Sequence, residues 1–323
     1  MKDVVVGIDT SAYTTSICAI DTADNKILFE NRKILDVPLG EKGLRQNMAV
    51  FQHMKNLPCF IEELFSKVQS QRIACLAVSD KPRSLTGSYM PVFFAGHTYA
   101  RVLASSLNVP LYTFSHQEGH IAAGLTTLDT SLTAKQFIAI QISGGTSEVC
   151  IVEQLENGFN IELIGGTRDL HAGQFIDRVG VKMGLAFPAG KHLEKVALEA
   201  REKLVIPSSV KGYDFSFSGP ATKAERLLEQ GIAETDVARA VEHCIGKTLE
   251  KIIRKAKESY NVNDVLVVGG VASNEYIRNY LKTKCGHPVV RVNINFAKIE
   301  YSSDNAYGVA VLGNNKHRNI LVD

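Results

Sequence analysis

The sequence predicts an α/β protein of two lobes with a central cleft. Three observations carry this. Short β-branched runs alternate with stretches of helical periodicity. A strand–polar turn–strand unit near the start recurs near residue 137, as an internal duplication would produce. The 323 residues exceed the roughly 250–300 at which single cores stop growing, yet no Pro/Gly/Ser-rich linker or low-complexity tract divides them. The boundary is expected at 134/135, giving an N-terminal lobe 1–134 and a C-terminal lobe 135–323.

Taken in order, residues 3–8 (DVVVGI) read as a buried strand, Asp9 to Thr15 as a polar loop and 16–21 as the return strand. Residues 46–68 carry helical periodicity and 73–78 (IACLAV) form a strand. A helix rich in small residues is expected over 91–107, then a short strand over 110–114 running into His116. Residues 137–152 repeat the opening grammar: FIAIQI, the turn SGGTS, and EVCIV. Helices are expected over 172–184, 190–203 and 233–260, the last with an interruption. A strand over 264–268 ends in Gly269-Gly270; helix 274–283, strand 288–294 and helix 304–315 complete the chain.

Composition excludes little. The chain is 45% hydrophobic and 22% charged, with a net charge of +2, so its total charge does not advertise nucleic-acid binding. No apolar run approaches the ~20 residues of a membrane span, and no early segment reads as a secretory leader. The six cysteines (18, 59, 75, 150, 244 and 285) lack metal-ligand spacing, and read as reduced thiols. A cytoplasmic protein without membrane attachment is the expectation.

The strongest local feature is His116-Gln117-Glu118-Gly119-His120. On a helix, positions i and i+4 share a face, so both imidazoles can reach one ion. Glu118 lies two residues from either histidine, unlike the glutamate of the zinc-protease His-Glu-x-x-His pattern. For a bare His-x-x-x-His, two surface histidines are the commoner outcome. Three glycine turns follow apolar strands: Ser143-Gly144-Gly145, Gly165-Gly166-Thr167, and Gly269-Gly270 with Asn274 beyond. Glycine admits close approach of an anion to the backbone, and open α/β sheets bind ligands at strand carboxyl ends. Phe215-Ser216-Phe217-Ser218-Gly219 reads equally as an edge strand or a loop. In Ser302-Ser303-Asp304-Asn305, Asp304 or Ser303 suits an N-cap, and Asp304 also suits a metal ligand.

Together these segments resemble the TsaD family, also called Gcp or YgjD, the tRNA threonylcarbamoyladenosine transferases. The resemblance covers nearly the whole chain. It rests on Gly7-Ile8-Asp9-Thr10-Ser11, the His116–His120 motif, Ser143-Gly144-Gly145, Asp177 with Gly184-Leu185 and Pro188-Ala189-Gly190, and Phe215–Gly219. It closes with Gly269-Gly270-Val271-Ala272-Ser273-Asn274 and Ser303-Asp304-Asn305. It implies the actin/Hsp70/sugar-kinase-like (ASKHA) fold. It implies one Fe(2+) or Zn(2+) per subunit, held by His116, His120 and Asp304. An adenine nucleotide (ATP, AMP or an acyl-adenylate) is implied at Ile142, Ser143, Gly144, Gly145, Thr146, Asp177, Gly190 and Asn274. The implied reaction moves threonylcarbamoyl from threonylcarbamoyl-AMP to tRNA adenosine beside the anticodon, with TsaB-like or TsaE-like partner subunits.

The chain departs from the family pattern in particular places. The family's Glu-Thr-Ser-Cys-Asp-Glu-Thr-Ser is Asp9-Thr10-Ser11-Ala12-Tyr13-Thr14-Thr15-Ser16, without two acidic residues. Its Ser-Gly-Gly-His-Thr is Ser143-Gly144-Gly145-Thr146-Ser147, and its Asp-Asp-Ala-x-Gly-Glu is Asp169-Leu170-His171-Ala172-Gly173-Gln174. Candidate acid/base groups are therefore fewer, leaving Asp9 and His171 as the catalytic candidates. A divergent paralogue is expected. The alternatives are a transferase with another acceptor, a non-catalytic partner like the metal-free scaffold TsaB, and a metallopeptidase, which the position of Glu118 opposes.

Overall fold

The computed structural model describes residues 2–38, 43–129, 131–156 and 158–320. They pack into two compact units: Met1–Thr127 with Gln154–Asn160 and Asp304–Asp323, and Leu128–Glu153 with Ile161–Ser303. The sequence reading drew one boundary at 134/135; the compact units are discontinuous, because the last helix packs on the first sheet.

The first unit opens with β1 (Val4–Thr10), β2 (Thr14–Asp21) and β3 (Ile27–Ile34). Helix α1 (Gln46–Lys67), β4 (Ile73–Lys81), α2 (Val92–Leu107), β5 (Leu111–Ser115) and α3 (His116–Thr126) follow. The sheet order is β3-β2-β1-β4-β5, antiparallel through the β1–β3 meander and parallel from β1 to β5. Strand side chains alternate between faces. Val4, Val6 and Ile8 accordingly join Leu57 and Leu64 of α1 and Ala95 and Ala100 of α2 in one core.

The second unit begins with β6 (Gln136–Ile142), β7 (Ser147–Leu155) and β8 (Gly158–Gly166), then α4 (Ala172–Lys182) and α5 (Gly190–Ala197). A small hairpin, β9 (Ser209–Lys211) and β10 (Asp214–Ser216), leads to α6 (Ser218–Glu229) and α7 (Glu234–Tyr260). The remainder is β11 (Asp264–Val268), α8 (Glu275–Cys285), β12 (Asn293–Phe296) and α9 (Ile299–Ser302). Helix α10 (Tyr307–Ile320) returns to the first unit. The second sheet runs β12-β11-β6-β7-β8. Read from β8, this is the first sheet's order again: a three-strand meander, then two strands in crossover positions. The duplication read from two hairpins thus extends to five strands in each half.

Three expected elements differ. The expected interruption of 233–260 is absent: α7 is continuous. The helix expected over 190–203 stops at Ala197. The strand expected over 288–294 begins only at Asn293, because Pro288 lacks an amide donor and Arg291 takes a left-handed φ of 54°. No helix among the described residues is long and apolar enough to cross a membrane.

On the first sheet α10 packs closely against α3. Glycine makes this possible: a β-carbon at Gly308 would overlap the Gly119 carbonyl oxygen, and one at Gly119 would sit 2.8 Å from Val309 Cγ2. Gly308→Ala is expected to destabilise the protein by about 3 kcal/mol, since backbone cannot yield as a side chain does. Urea unfolding measures it, and an unchanged midpoint would refute it.

Candidate metal centre and nucleotide loops

The residues of the candidate metal set come together within the first unit. Ser115 starts α3 with a capping box: its Oγ accepts from Glu118 N at 3.1 Å, and the Glu118 carboxylate accepts from Ser115 N at 2.7 Å. Ser84 Oγ also donates to that carboxylate at 2.7 Å. Glu118 is therefore committed to the helix start, and the histidines on either side carry the site. The glycine crossing sets α3 beside the segment entering α10, where Asp304 lies.

His120 Nε2 is 3.1 Å from both His116 Nε2 and Asp304 Oδ1, and His116 Nε2 is 3.5 Å from the same oxygen. His120 is buried, and its buried Nδ1 has no hydrogen-bond partner. His116 Nδ1 lies 2.8 Å from Oδ1 of the wholly buried Asp9, which also accepts from Ser79 Oγ. A carboxylate behind Nδ1 holds the proton there and turns the Nε2 lone pair inward. Ser11 Oγ donates to Asp304 Oδ2 at 2.5 Å, leaving Oδ1 facing the histidines.

Three donor atoms therefore surround one point, and these groups form the His/His/Asp set able to hold a cation. Their separations suit one: ligands ~2.1 Å from a common ion stand ~3.0–3.4 Å apart. The electrostatics agree. Burial lowers the pKa of His116, but Asp9 and Asp304 outweigh it and raise the value to about 10. Burial opposes charge on Asp304 too, yet hydrogen bonds from both histidines hold its carboxyl well below the usual range. The surroundings favour positive charge at this point, whether proton or metal. Asp9, a catalytic candidate from sequence, is sealed behind His116, a place suited to orienting that ring.

The nucleotide candidates lie in the second unit. Ile142 ends β6, and the Ser143–Thr146 turn closes on itself: Ser143 N donates to Thr146 O at 2.7 Å, and Ser143 Oγ accepts from Thr146 N at 3.0 Å. Gly144 and Gly145 face open space. The first turn of α4 packs on this loop, with Gly173 N donating to Ser143 O at 2.9 Å. An exposed glycine turn against a helix N-terminus suits an anion such as phosphate. His171, the other catalytic candidate, stands half-buried at the N-cap of α4.

Asp177 lies on α4 and accepts from Ala189 N at 2.7 Å, tying α4 to the start of α5 at Gly190. Burial raises its pKa to about 6. Gly269 has φ 98°, and a β-carbon there would overlap the Ile142 carbonyl, so the turn after β11 presses on the end of β6. Asn274 is committed internally: Oδ1 accepts from Ile277 N at 2.9 Å, capping α8, and Nδ2 donates to Glu242 Oε1 at 2.6 Å. Its placement suits shaping the Gly269-Gly270 turn. Gly165 and Gly166, at the end of β8, pack against Tyr213 and Ser147, which reads as structural crowding.

Sequence reasoning missed Ser11, Ser79 and His53, which reach the site only through tertiary structure. It also missed the role of Asp169. Burial opposes charge on Asp169, but a hydrogen bond from Ser216 leads several that outweigh it and lower its pKa to about 2. One of them is Phe217 N at 3.1 Å, so Asp169 organises the Phe215–Gly219 segment.

Duplicated five-stranded sheets with terminal glycine turns give this chain the actin/Hsp70/sugar-kinase-like (ASKHA) fold, with a His/His/Asp set able to hold a metal ion. Solved structures with this fold include HypF from T. kodakarensis, at TM-score 0.63 and 14% identity, covering 98% of this chain and 48% of that one. Another is the activator of 2-hydroxyisocaproyl-CoA dehydratase from Clostridium difficile with bound ADPNP, at TM-score 0.59 and 13% identity, covering 99% and 97%. The chain belongs to the TsaD family, tRNA N6-adenosine threonylcarbamoyltransferase, whose sequence model matches residues 39–311. Relatives so named include one from Archaeoglobus fulgidus, 30% identical over 87% of this chain and 82% of its own length. One from Thermus thermophilus is 30% identical over 97% and 93%. A probable bifunctional tRNA threonylcarbamoyladenosine biosynthesis protein from Methanothermobacter thermautotrophicus is 30% identical over 95% of this chain and 55% of its own.

Proposed function

We propose that the protein is a cytoplasmic, metal-dependent acyltransferase that moves a threonylcarbamoyl group from threonylcarbamoyl-AMP to tRNA adenosine beside the anticodon. The observation that carries the reading is the convergence of His116 Nε2, His120 Nε2 and Asp304 Oδ1 in a chain of this family. Two imidazoles and one carboxylate suit Fe(2+) or Zn(2+) and leave coordination positions open. A bound ion supplies Lewis-acid stabilisation of charge developing on oxygen. The Ser143–Thr146 turn and the head of α4 cradle the adenylate phosphate, Asp177 accepts from the ribose hydroxyls, and the Gly269-Gly270 turn shaped by Asn274 meets the adenine. In the transfer, the exocyclic amine bonds to the carbamoyl carbon, the C–O bond to the phosphate breaks, AMP leaves and the amine loses a proton. Asp9 orients His116, and His171 is the remaining candidate for that proton.

The altered positions favour a second reading, a divergent paralogue with a different acceptor. Tyr13, Thr14 and Thr146 stand where the family pattern has two acids and a histidine, while the metal set is complete. Incubation with threonylcarbamoyl-AMP and tRNA, with and without TsaB-like and TsaE-like subunits, decides between them. Modified adenosine in the digested tRNA supports transfer to tRNA. Consumption of the adenylate only with another amine supports the paralogue. A folded, metal-free chain that turns over nothing would sink both readings in favour of a scaffold.

A further inference from the structure

Asp304 is held from a side that the metal cluster does not explain. Ser11 Oγ accepts from Thr14 N at 3.1 Å, which turns its hydrogen toward Asp304 Oδ2. The Ser11 carbonyl in turn faces Nε2 of His53, 2.9 Å away. A carbonyl only accepts, so Nε2 carries the ring hydrogen and Nδ1 is an acceptor. Thr15 Oγ1, at 2.8 Å, donates to that nitrogen, and Asn56 Nδ2 donates to Thr15 Oγ1 at 3.1 Å. Each bond's direction is fixed by its neighbour. His53 and Thr15 are wholly inaccessible to solvent, and Ser11 nearly so. Burial also pushes His53 below its ordinary pKa, consistent with the neutral ring that these bonds demand. A fully satisfied buried network of this kind rigidifies what it touches.

We infer that Asn56, Thr15, His53 and Ser11 form a positioning relay from α1 that pins the outer oxygen of Asp304, so that the carboxylate offers an ion only Oδ1. This rests on the metal reading of His116, His120 and Asp304. Its consequence is an open coordination position: a carboxylate free to swing would bind through both oxygens and occupy the place a substrate oxygen needs. None of the four residues touches the ion; they act through Asp304.

Titration of the full-length, metal-stripped protein with Co(2+) tests the relay, because the visible band of Co(2+) reports coordination number as well as occupancy. The unaltered protein should bind one ion. Ser11→Ala and His53→Leu should bind about tenfold to a hundredfold more weakly, as outer-shell losses do. Their bands should be weaker, as an added oxygen ligand produces. His53→Gln keeps a donor for the Ser11 carbonyl and should restore most of the affinity and the original band. Circular dichroism and melting of the metal-free forms separate this from unfolding. Should His53→Leu fail to fold, Ser11→Ala, which removes one oxygen, still carries the test. Folded variants with unaltered affinity and band would overturn the relay alone. A wild-type protein with no band would overturn the metal reading and the relay together.

Discussion

His120→Ala is expected to leave the purified protein without stoichiometric metal. The Nε2 of His120 stands 3.1 Å from both other ligand atoms, so its loss opens one full corner of the site. Site energies of roughly 10–16 kcal/mol shared among four ligands assign each about 3 kcal/mol, or more than about a hundredfold in affinity. The fold should tolerate the change: alanine favours the helix, Nδ1 of His120 makes no hydrogen bond, and Asp304, which loses its bond to Nε2, keeps those to Ser11 and His116. Elemental analysis of both proteins, purified side by side, is the measurement. Equal metal content would remove the basis for the proposed chemistry. Loss of metal with an unchanged melting curve for the stripped forms would assign the histidine to the ion rather than to the fold.

How much of this was legible in the sequence depended on whether the signal was local. The hairpins were legible because 4–8 and 137–142 are short runs rich in apolar, β-branched residues, with only Gln141 polar among them. Strands β3 and β8 were not, since both are mostly half-buried and their apolar residues are broken up, by Glu30 to Lys33 in β3 and by Asn160 and Glu162 in β8. Helix α6 was hidden by Ser218-Gly219-Pro220, which reads as a breaker. Proline in a first helical turn costs no hydrogen bond, because amides there lack helical partners. At the site, His116 and His120 announce each other at helical spacing. Asp304 lies 184 residues beyond His120, and only the resemblance joined them. Ser79 and His53 belong to no motif, and Ser11 closes Gly7-Ile8-Asp9-Thr10-Ser11 without that motif giving it a role. Their roles arise where β1, β4 and α1 meet, a property of packing that no spacing along the chain encodes.

Metal affinity is expected to rise about tenfold per pH unit between about pH 6.5 and pH 8.5. In the metal-free protein the pKa of His116 is about 10: burial lowers it, and Asp9 and Asp304 more than restore the charged form. An ion needs the Nε2 lone pair, so binding below that value must expel one proton, and each unit of pH removes a tenfold competitor. The metal-free fold behaves oppositely. A pKa raised in the folded state contributes stability that is complete below the unfolded value of ~6.5 and is lost as pH rises toward 10. Asp304, whose pKa is depressed, contributes in the other sense, losing its share only as pH falls through its low folded value. Alkaline conditions therefore weaken the stripped protein while strengthening its hold on metal. The increase in melting temperature on adding a fixed excess of Zn(2+) should grow steadily across this range, each tenfold gain in affinity adding about 1.4 kcal/mol of stabilisation. A pH-independent increment would show that no proton leaves on binding, and that His116 is not the ligand proposed for it.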